Sequence, residues 1–233
     1  MSGAAGVGGA GTVFEGVIFD LDGIVADTEH FWDASWGTYS RDHGVPWTHA
    51  DSLRLQGLSV PEWSALLAEH AGGSSADAPT AAAFCIDYIL AALDRGEGAL
   101  MDGARELIEL ASARGPVGLA TSSARPLIDH LLRTNGLDAM FTATVSSAEV
   151  PRGKPSPDVY LEAARRLGLA GRPAIGIEDS GNGIRAAHAA GLFVLAIPNR
   201  QFPPAAEALA LADVVAVDHA AALQHLHQLL PDH

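Results

Sequence analysis

Two aspartates, Asp20 and Asp22, follow the uncharged run 16–19, which is rich in strand-forming residues. Such a run is typical of a strand that is covered on both faces, and Gly23 gives the chain the freedom to leave the sheet directly afterwards. Residues two apart on a strand point the same way. Because two carboxylates held this close repel each other, they need a cation, a proton or a substrate group nearby, which predicts a functional site.

Three further polar clusters occur at or after the ends of apolar runs: Thr121 with Ser122, Lys154, and Glu178 with Asp179. Carboxylates are hard oxygen ligands suited to Mg²⁺, and a threonine hydroxyl can donate to a phosphate oxygen. An ammonium group can stabilise the negative charge of a transferring phosphoryl group. One carboxylate can attack phosphorus while another carries the proton of the leaving group. The four clusters together indicate phosphoryl transfer.

Lys154 is the only lysine among the 14 basic residues of the chain. It lies between Gly153 and Pro155, in a loop that follows a predicted strand. A compact ammonium group and a planar guanidinium are not interchangeable at a crowded phosphate site. We therefore interpret Lys154 as a functional residue, with a solvated surface position as the alternative.

Helix and strand patterns alternate from residue 101 onward. Strands are predicted over residues 117–120, 141–145, 174–177, 193–197 and 214–217. The helix predicted over 157–167 has Tyr160, Leu161, Ala164 and Leu167 on one face. This alternation predicts an α/β fold with a doubly wound, Rossmann-like parallel sheet, whose ligand site lies beyond the carboxyl ends of the strands.

Residues 29–98 have a different character, because they contain all four tryptophans, show helical periodicity and include no convincing strand. They predict an all-helical insert within an α/β core domain that comprises residues 12–28 and 99–233. Residues 1–11 are Gly/Ala-rich and are expected to be a flexible tail rather than a signal peptide. We expect the tryptophans to fill the small core of the insert, with the wall of a substrate pocket as the alternative.

Composition excludes several classes of partner. The formal net charge of −14 argues against nucleic acid and anionic membrane surfaces, which both require basic patches. No apolar run is expected to approach the length of a membrane span. A single cysteine, Cys85, excludes an intrachain disulfide and fits a reducing, cytoplasmic location; we expect it to be a packed, inert residue. The expected quaternary state is a monomer or a weak homo-oligomer.

Four motifs carry a family resemblance, in order and in spacing: Asp20-Leu21-Asp22-Gly23, Thr121-Ser122-Ser123, Gly153-Lys154-Pro155-Ser156-Pro157-Asp158 and Glu178-Asp179-Ser180-x-Asn182-Gly183. They resemble the motifs of the haloacid dehalogenase superfamily over residues 13–197. Within it, the chain is most similar to the subgroup of beta-phosphoglucomutase-like enzymes and sugar-phosphate phosphatases. The insert stands where that subgroup has its cap domain.

The resemblance implies a role for each matching residue. Asp20 would be the nucleophile that forms an aspartyl-phosphate, and Asp22 would be the general acid and base. Thr121, Ser122 and Lys154 would bind the phosphate or the substrate, a small phosphorylated metabolite.

The same resemblance implies Mg²⁺ as the cofactor. The Asp20 carboxylate, the Asp22 backbone carbonyl and Asp179 would bind the ion directly. Glu178 would lie next to these ligands without binding the ion itself.

Departures from the family pattern favour a phosphatase over a mutase. Mutases of this subgroup hold the second phosphate with a cap arginine after Gly-x-Ser and with a cap lysine. Here the arginine position is Val60, and the insert has no lysine; Arg54 and Arg41 are the candidates to substitute. A beta-phosphoglucomutase-type hexose phosphate mutase is therefore the alternative. Residues 27–32 are also similar to phosphatases that act on hexose phosphates, and Asp22 distinguishes the chain from dehalogenases, which carry an aromatic residue there.

Two other classes of protein, receiver domains and dinucleotide-binding domains, fit the sequence less well. A receiver domain has no helical insert after its first strand. The G-x-G-x-x-A match that begins at Gly181 lacks the strand context of a dinucleotide site. His30, close to the acids in sequence, is the one histidine that could assist a leaving group, although an exposed or structural role is the expectation.

Overall fold

The sheet of this protein is parallel throughout and has six strands in the order β3-β2-β1-β4-β5-β6. The computed structural model describes residues 12–230, so the predicted tail lies outside the described residues. The strands are β1 (Val17–Phe19), β2 (Val117–Thr121), β3 (Ala143–Ser146), β4 (Ile175–Glu178), β5 (Phe193–Ala196) and β6 (Val214–Val215). The predicted doubly wound α/β fold is confirmed.

Helices connect the strands and cover both faces of the sheet. In the described part of the chain the α-helices are α1 (Glu29–Asp42), α2 (His49–Leu55), α3 (Val60–His70), α4 (Ala78–Asp94), α5 (Ala104–Arg114), α6 (Arg125–Thr134), α7 (Asp158–Arg166), α8 (Gly181–Ala189), α9 (Ala206–Leu209) and α10 (His219–Leu229). Helices α1 to α4 all lie between β1 and α5, in the segment expected to be helical. Short 3₁₀ turns precede α4 and flank β3.

The central strand β1 determines where the polar clusters meet. Phe19 is in register with Leu119 of β2 on one side and with Ile177 of β4 on the other. Because all three strands are parallel, their carboxyl ends lie side by side at one edge of the sheet. Each of the three strands is buried along its whole length, and Glu178 at the end of β4 is the one charged residue in them.

Two segments of the chain, at residues 26–27 and 99–100, connect the helical insert to the core. Ala26 forms an antiparallel bridge with Leu100, and the Asp27 amide donates to the Ala99 carbonyl at 3.1 Å. Sequence signals also start the inner helices: the Glu62 carboxylate accepts from the Ser59 amide at 3.0 Å, half of a capping box at the start of α3. The insert is thus attached by two short, hydrogen-bonded segments.

The tryptophans of the insert pack against one another. The rings of Trp32 and Trp63 meet edge to face with centroids 5.4 Å apart, and Trp36 lies 6.1 Å from each of them. All three are buried, as expected of core residues, yet all three also line a cavity shared with the carboxylates. These three tryptophans are therefore core residues of the insert and also part of the wall of a cavity, so both interpretations of the sequence apply to them.

Some predicted faces differ from those observed. Leu161 was expected to point inward from α7 but is 49% exposed, and the buried face is formed by Val159, Tyr160, Ala163 and Ala164. The buried face includes Val159 and Ala163 because both lie in one core cluster with Ile18, Ala120 and Val145 of the sheet. Tyr160, which belongs to the predicted and the observed face alike, donates its hydroxyl to the buried Glu178 at 2.7 Å. On α1, Trp32 and Trp36 are buried, whereas Ala34 and Thr38 are half-buried.

The expectation about membrane-length segments is wrong for one helix. Ser75–Asp94 spans 20 residues with a mean hydropathy of 1.3 over an 18-residue window, enough by length and composition to cross a membrane. A core helix passes the same test, and this segment packs against α1, α3 and α6. It is weak evidence for a membrane span.

Candidate active site

Residues from three strand ends meet at the carboxyl edge of the sheet. Asp20 follows β1, and Thr121 is the last residue of β2. Glu178 is the last residue of β4, and Asp179 is the next residue in the chain. All four residues are buried, with Asp20 the most exposed of them at 6%. The structure brings Lys154 to the same place from the loop between β3 and α7, so the clusters separated in sequence are neighbours in space.

Lys154 forms two buried ion pairs. Its Nζ lies 2.6 Å from Glu178 Oε1 and 2.9 Å from Asp20 Oδ1, and 5.2 Å from the centroid of the Tyr160 ring. Burial alone would disfavour the charge, but attraction to Asp20 and Glu178 outweighs it and raises the pKa of Lys154. The charged form is therefore favoured at the carboxylates, and the burial of Lys154 excludes the alternative of a solvated surface lysine.

Glu178 uses both of its carboxylate oxygens within the protein. Oε1 accepts from Lys154 and from the Tyr160 hydroxyl, and Oε2 accepts from the backbone amides of Asp179 and Ser180 at 3.1 and 3.2 Å. The third residue of α8 must be glycine, because a Cβ on Gly183 would lie 1.8 Å from Glu178 Oε1. Glu178 thus has little capacity left for a ligand and serves to fix its neighbours.

Asp20 and Asp179 have more capacity for a cation. Oxygen atoms of Asp20, Glu178 and Asp179 lie within 4.8 Å of one another. Asp20 Oδ1 is buried, and its contact with Lys154 is an ion pair without hydrogen-bond alignment. Burial, together with the charge of Glu178, raises the pKa of Asp20 to about 7, and burial raises the pKa of Asp179 strongly. Three buried carboxylates with one ammonium group therefore fit a hard divalent cation.

Asp22 has a different environment from Asp20, although the two are neighbours in sequence. Its Oδ1 accepts from the Thr28 hydroxyl and, at 3.0 Å, from Trp32 Nε1. Its Oδ2 accepts from Ser123 Oγ at 2.6 Å and from Thr121 Oγ1 at 3.4 Å. The side chain is thus oriented by donors from both the core and the insert, and it lies outside the carboxylate cluster described above.

Ser122 lies where the core meets the insert. Its hydroxyl donates to the Gly57 carbonyl at 3.3 Å, and the residue lines the same cavity as Asp20, Asp22 and Lys154. Of the seven predicted site residues, five line this cavity: Asp20, Asp22, Ser122, Lys154 and Asp179. Thr121 and Glu178 lie behind that wall, in contact with Asp22 and Lys154 respectively.

Sequence reasoning missed Glu29, which reaches the site from the start of α1. Asn199 Nδ2 donates to Glu29 Oε2 at 2.7 Å and to Asp179 Oδ2 at 2.9 Å, and Gln56 donates to the other oxygen of Glu29. Burial, with the nearby charges of Asp22 and Asp20, raises the pKa of Glu29 to about 8. Its position in the segment 27–32 was a signal, but nothing in the sequence placed it beside the cluster.

His30 points away from this machinery. It is exposed, and its Nδ1 lies 3.3 Å from the exposed Asp27 carboxylate. Its ring lies against Phe31 at 3.9 Å between centroids. The geometry agrees with the expected exposed position and gives His30 no contact with the carboxylates.

The family model for haloacid dehalogenase-like hydrolases matches residues 14–191. The chain belongs to this family. The four motifs and the order of the strands therefore have a common explanation, and the family resemblance read from the sequence is confirmed.

Relatives of this haloacid dehalogenase-like hydrolase include named phosphatases. The validoxylamine A 7'-phosphate phosphatase of Streptomyces hygroscopicus subsp. limoneus is 30% identical over 207 residues, covering 88% of this chain and 94% of that protein. Hexitol phosphatase A of Escherichia coli K12 is 32% identical over 184 residues, covering 78% and 82% of the two chains. The predicted class of enzyme, a phosphatase of this family, is confirmed.

A solved structure shows the same architecture. CbbY from Rhodobacter sphaeroides, in complex with phosphate, matches with a TM-score of 0.77 and 29% sequence identity, over 91% of this chain and 100% of that one. The match extends across both the sheet and the helical insert, because it leaves less than a tenth of this chain uncovered.

Proposed function

We propose that this hydrolase is a Mg²⁺-dependent phosphatase that cleaves a small phosphomonoester, a sugar phosphate, through an aspartyl-phosphate. One observation supports this most directly. Asp20, at the end of the central strand, is a buried carboxylate beside a single buried ammonium group, while Asp22 stands on the same loop with a separate set of donors. The two acids therefore have environments suited to two different tasks.

The reaction has two half-reactions with balanced proton transfers. A carboxylate oxygen of Asp20 attacks phosphorus, the bond from phosphorus to the leaving oxygen breaks, and protonated Asp22 gives its proton to that oxygen. Water then attacks the aspartyl-phosphate and gives a proton to the Asp22 carboxylate. Inorganic phosphate leaves, and both aspartates return to their starting states.

Thr121, Ser122 and Lys154 are the proposed ligands of the phosphate oxygens. Lys154 Nζ, 2.9 Å from Asp20 Oδ1, is close enough to neutralise charge on the group that Asp20 attacks. The Ser122 hydroxyl lines the cavity, and its present acceptor, the Gly57 carbonyl, is 3.3 Å away and exchangeable. Thr121 Oγ1 is linked to Asp22 by a long 3.4 Å contact that a phosphate oxygen can replace.

Mg²⁺ is the proposed cofactor, with Asp20 and Asp179 as carboxylate ligands and the Asp22 backbone carbonyl as a third ligand. When bound, the ion offsets the negative charge that builds up on the phosphoryl oxygens. Asn199 orients Asp179 through its 2.9 Å hydrogen bond, and Glu178 holds the preceding backbone in place.

The insert, residues 29–98, is the proposed cap that excludes water from the reaction. It already contacts the core around the site: Ser122 bonds to Gly57, and Asn182 Nδ2 lies 3.5 Å from the Gln56 carbonyl. The lysine loop also touches it, since a Cβ on Gly153 would lie 2.5 Å from the Cβ of Ser59. In this proposal the core domain consists of residues 12–28 and 99–233.

The positions of the arginines favour a phosphatase over a mutase. Arg54 is largely exposed, with its guanidinium 3.9 Å from Asp51, and Arg41 bonds to Thr38 on the surface of α1. Neither lines the cavity, where Lys154 is the one basic residue among the described residues. Within this cavity, a second phosphate, which a hexose phosphate mutase must hold, would therefore meet no cation other than Lys154 among the described lining residues.

The proposal is tested by phosphate release from phenyl phosphate and a panel of hexose and hexitol phosphates, with and without chelator. We expect release that requires Mg²⁺ and that is lost in Asp20→Asn. Activity that survives both chelation and this substitution would overturn the mechanism. If hexose 1-phosphate is converted to hexose 6-phosphate faster than phosphate appears, the enzyme is a mutase.

A further inference from the structure

One indole N–H in the site has no partner. Trp32 Nε1 donates to Asp22 at 3.0 Å, and Trp47 Nε1 donates to Ser52 Oγ at 2.9 Å. Trp36 is 4% exposed, yet within the described part of the chain no acceptor meets its Nε1. Buried polar groups are almost always hydrogen-bonded, and a tryptophan N–H can only donate. The Nε1–H of Trp36 is therefore a buried donor that could bond to an acceptor on a ligand.

The position of Trp36 indicates where this acceptor comes from. The residue lines the cavity that also contains Asp20, Asp22 and Lys154. Its ring lies 6.1 Å from both the Trp32 and the Trp63 rings, which belong to the same wall. Since Trp32 is bonded to the proposed acid and base, this aromatic wall faces the part of the cavity that receives the leaving group rather than the phosphate.

The charges of the cavity restrict that leaving group further. Lys154 is its one basic residue among the described residues, and both nearby carboxylates, Asp20 and Glu178, already pair with it. Glu29 adds a carboxyl group on the insert side, bordering the same cavity. An anionic leaving group would meet the carboxylates of Asp20, Asp22 and Asp179 with no basic residue other than Lys154 in the described lining, whereas a hydroxyl or ammonium group could donate to Glu29.

We propose that Trp36 is a specificity-determining residue whose indole N–H donates to a hydroxyl or ether oxygen of the leaving group. The substrate class is then the monophosphate of an uncharged or cationic polyhydroxylated alcohol, with its apolar C–H face against the tryptophans and a donor group toward Glu29. This inference rests on the proposed phosphatase function and adds the chemistry of the leaving group to it.

The test compares two substrates within each protein. Phenyl phosphate has a leaving group with no hydroxyl beyond the scissile oxygen, and sorbitol 6-phosphate or glucose 6-phosphate, whichever turns over faster, has several. In Trp36→Phe the ratio of kcat/KM for the polyol phosphate to kcat/KM for phenyl phosphate should fall about tenfold, the loss of one hydrogen bond. The control is Trp47→Phe, which removes an N–H bonded to Ser52, and there the ratio should stay within twofold.

The ratio of the two kcat/KM values distinguishes a folding defect, a wrong role for Trp36 and a wrong proposed function. A partly unfolded sample lowers both rates equally and leaves the ratio unchanged, and near-native circular dichroism identifies folded Trp36→Phe protein. If folded Trp36→Phe keeps the wild-type ratio, the role of Trp36 is overturned while the phosphatase stands. If wild-type protein releases phosphate from none of these esters, the proposed function itself has failed.

A second comparison tests the charge restriction. Glucose 6-phosphate, glucosamine 6-phosphate and 6-phosphogluconate have similar sizes and carry neutral, cationic and anionic leaving groups. We expect kcat/KM for 6-phosphogluconate to be at least tenfold below both others. A preference for the anionic substrate would overturn the proposed class.

Discussion

At the residue scale, Lys154 supplies the positive charge that the buried carboxylates of Asp20 and Glu178 share. It is 1% exposed and is the only cation in contact with Asp20 and Glu178 in the described structure. Its flexible stem places a point charge between two carboxylates, a space that a planar guanidinium would overfill. The same geometry that keeps the lysine charged makes its replacement costly.

We expect Lys154→Arg to lose about 10² to 10³ in kcat, because the charge remains but is displaced from the phosphoryl group. The measurement is steady-state hydrolysis of phenyl phosphate, with thermal melting to verify the fold. Arg152→Lys, two positions away in an exposed pair with Asp158, serves as the control and should keep wild-type kinetics. Near-normal turnover by Lys154→Arg would refute the importance of the exact position of the charge.

Cys85 is expected to be chemically silent in the native protein. It is fully buried in α4, and burial raises the pKa of its thiol to about 12, with the hydrogen bond to Ser35 opposing this only partly. Since the thiolate is the reactive form, alkylation by iodoacetamide at pH 8 should be at least about 100-fold slower than in denaturant. Mass spectrometry over time gives both rates, and rapid labelling of the native protein would contradict the inert role.

At the scale of elements, Glu149 joins three segments below the sheet edge. It follows β3, where its carboxylate accepts from the Ser146 amide at 3.2 Å. Arg125 at the start of α6 and Arg166 at the end of α7 both donate to it, the latter at 2.9 Å. This small network fixes the β3 edge strand against the helices on either side of it.

The network should make stability depend on pH in the acid range. Burial alone would raise the pKa of Glu149, but hydrogen bonds from Arg125 and Arg166 outweigh it and lower the pKa. The stabilisation is therefore present above the ordinary glutamate pKa and is lost as the pH falls through the lowered value. Glu149→Gln should cost about 1 kcal/mol or less at pH 7, because the carboxylate is partly exposed, and progressively less toward pH 3.

Urea unfolding of the wild type and of Glu149→Gln at pH 7 and pH 3.5 measures the difference in their free energies of unfolding. Glu106→Gln, at an exposed position on α5, is the matched control and should change the free energy of unfolding little at either pH. An equal cost of Glu149→Gln at both pH values would show that charge plays no part.

The sequence predicted the elements that depend on local pattern and the residues that end strands. Asp20, Thr121 and Glu178 could be found because a buried strand is a readable run of apolar residues and parallel strands end at one edge. Glu29 and Asn199 could not, because their contact with Asp179 depends on how α1 and the loop after β5 pack over that edge. Leu161 was misplaced because the helical period fits two faces that share Tyr160 and Ala164, and only the packing of Val159 and Ala163 against the sheet selects between them.

At the scale of the whole molecule, an acidic chain concentrates carboxylates around one buried point. Asp20, Glu178 and Asp179 have a single ammonium partner, so the apo site carries unfavourable repulsion that a cation relieves. Mg²⁺ at about 100 times its Kd would add about 2.7 kcal/mol of stability, which corresponds to a rise in Tm of about 5 to 10 °C.

Differential scanning calorimetry measures this effect without any substrate. We expect Mg²⁺ to raise the Tm of the wild type and to have little effect on Asp179→Asn, which removes one carboxylate from the cluster. Choline chloride at the same ionic strength is the control for screening. Equal shifts in the two proteins would place the ion elsewhere.

The central position of β1 in the sheet also governs how the chain can be assembled. Val17 pairs with Val117 and with Ile175, 100 and 158 positions further along. At a translation rate of about 5 to 20 residues per second, the first strand leaves the ribosome about 5 to 30 seconds before its two neighbours exist. The helices of the insert, whose contacts are local, can form during this interval, whereas the sheet cannot begin. The nascent chain therefore carries β1 as an unpaired apolar segment until β2 and β4 have been synthesised, and exposed segments of this kind promote aggregation.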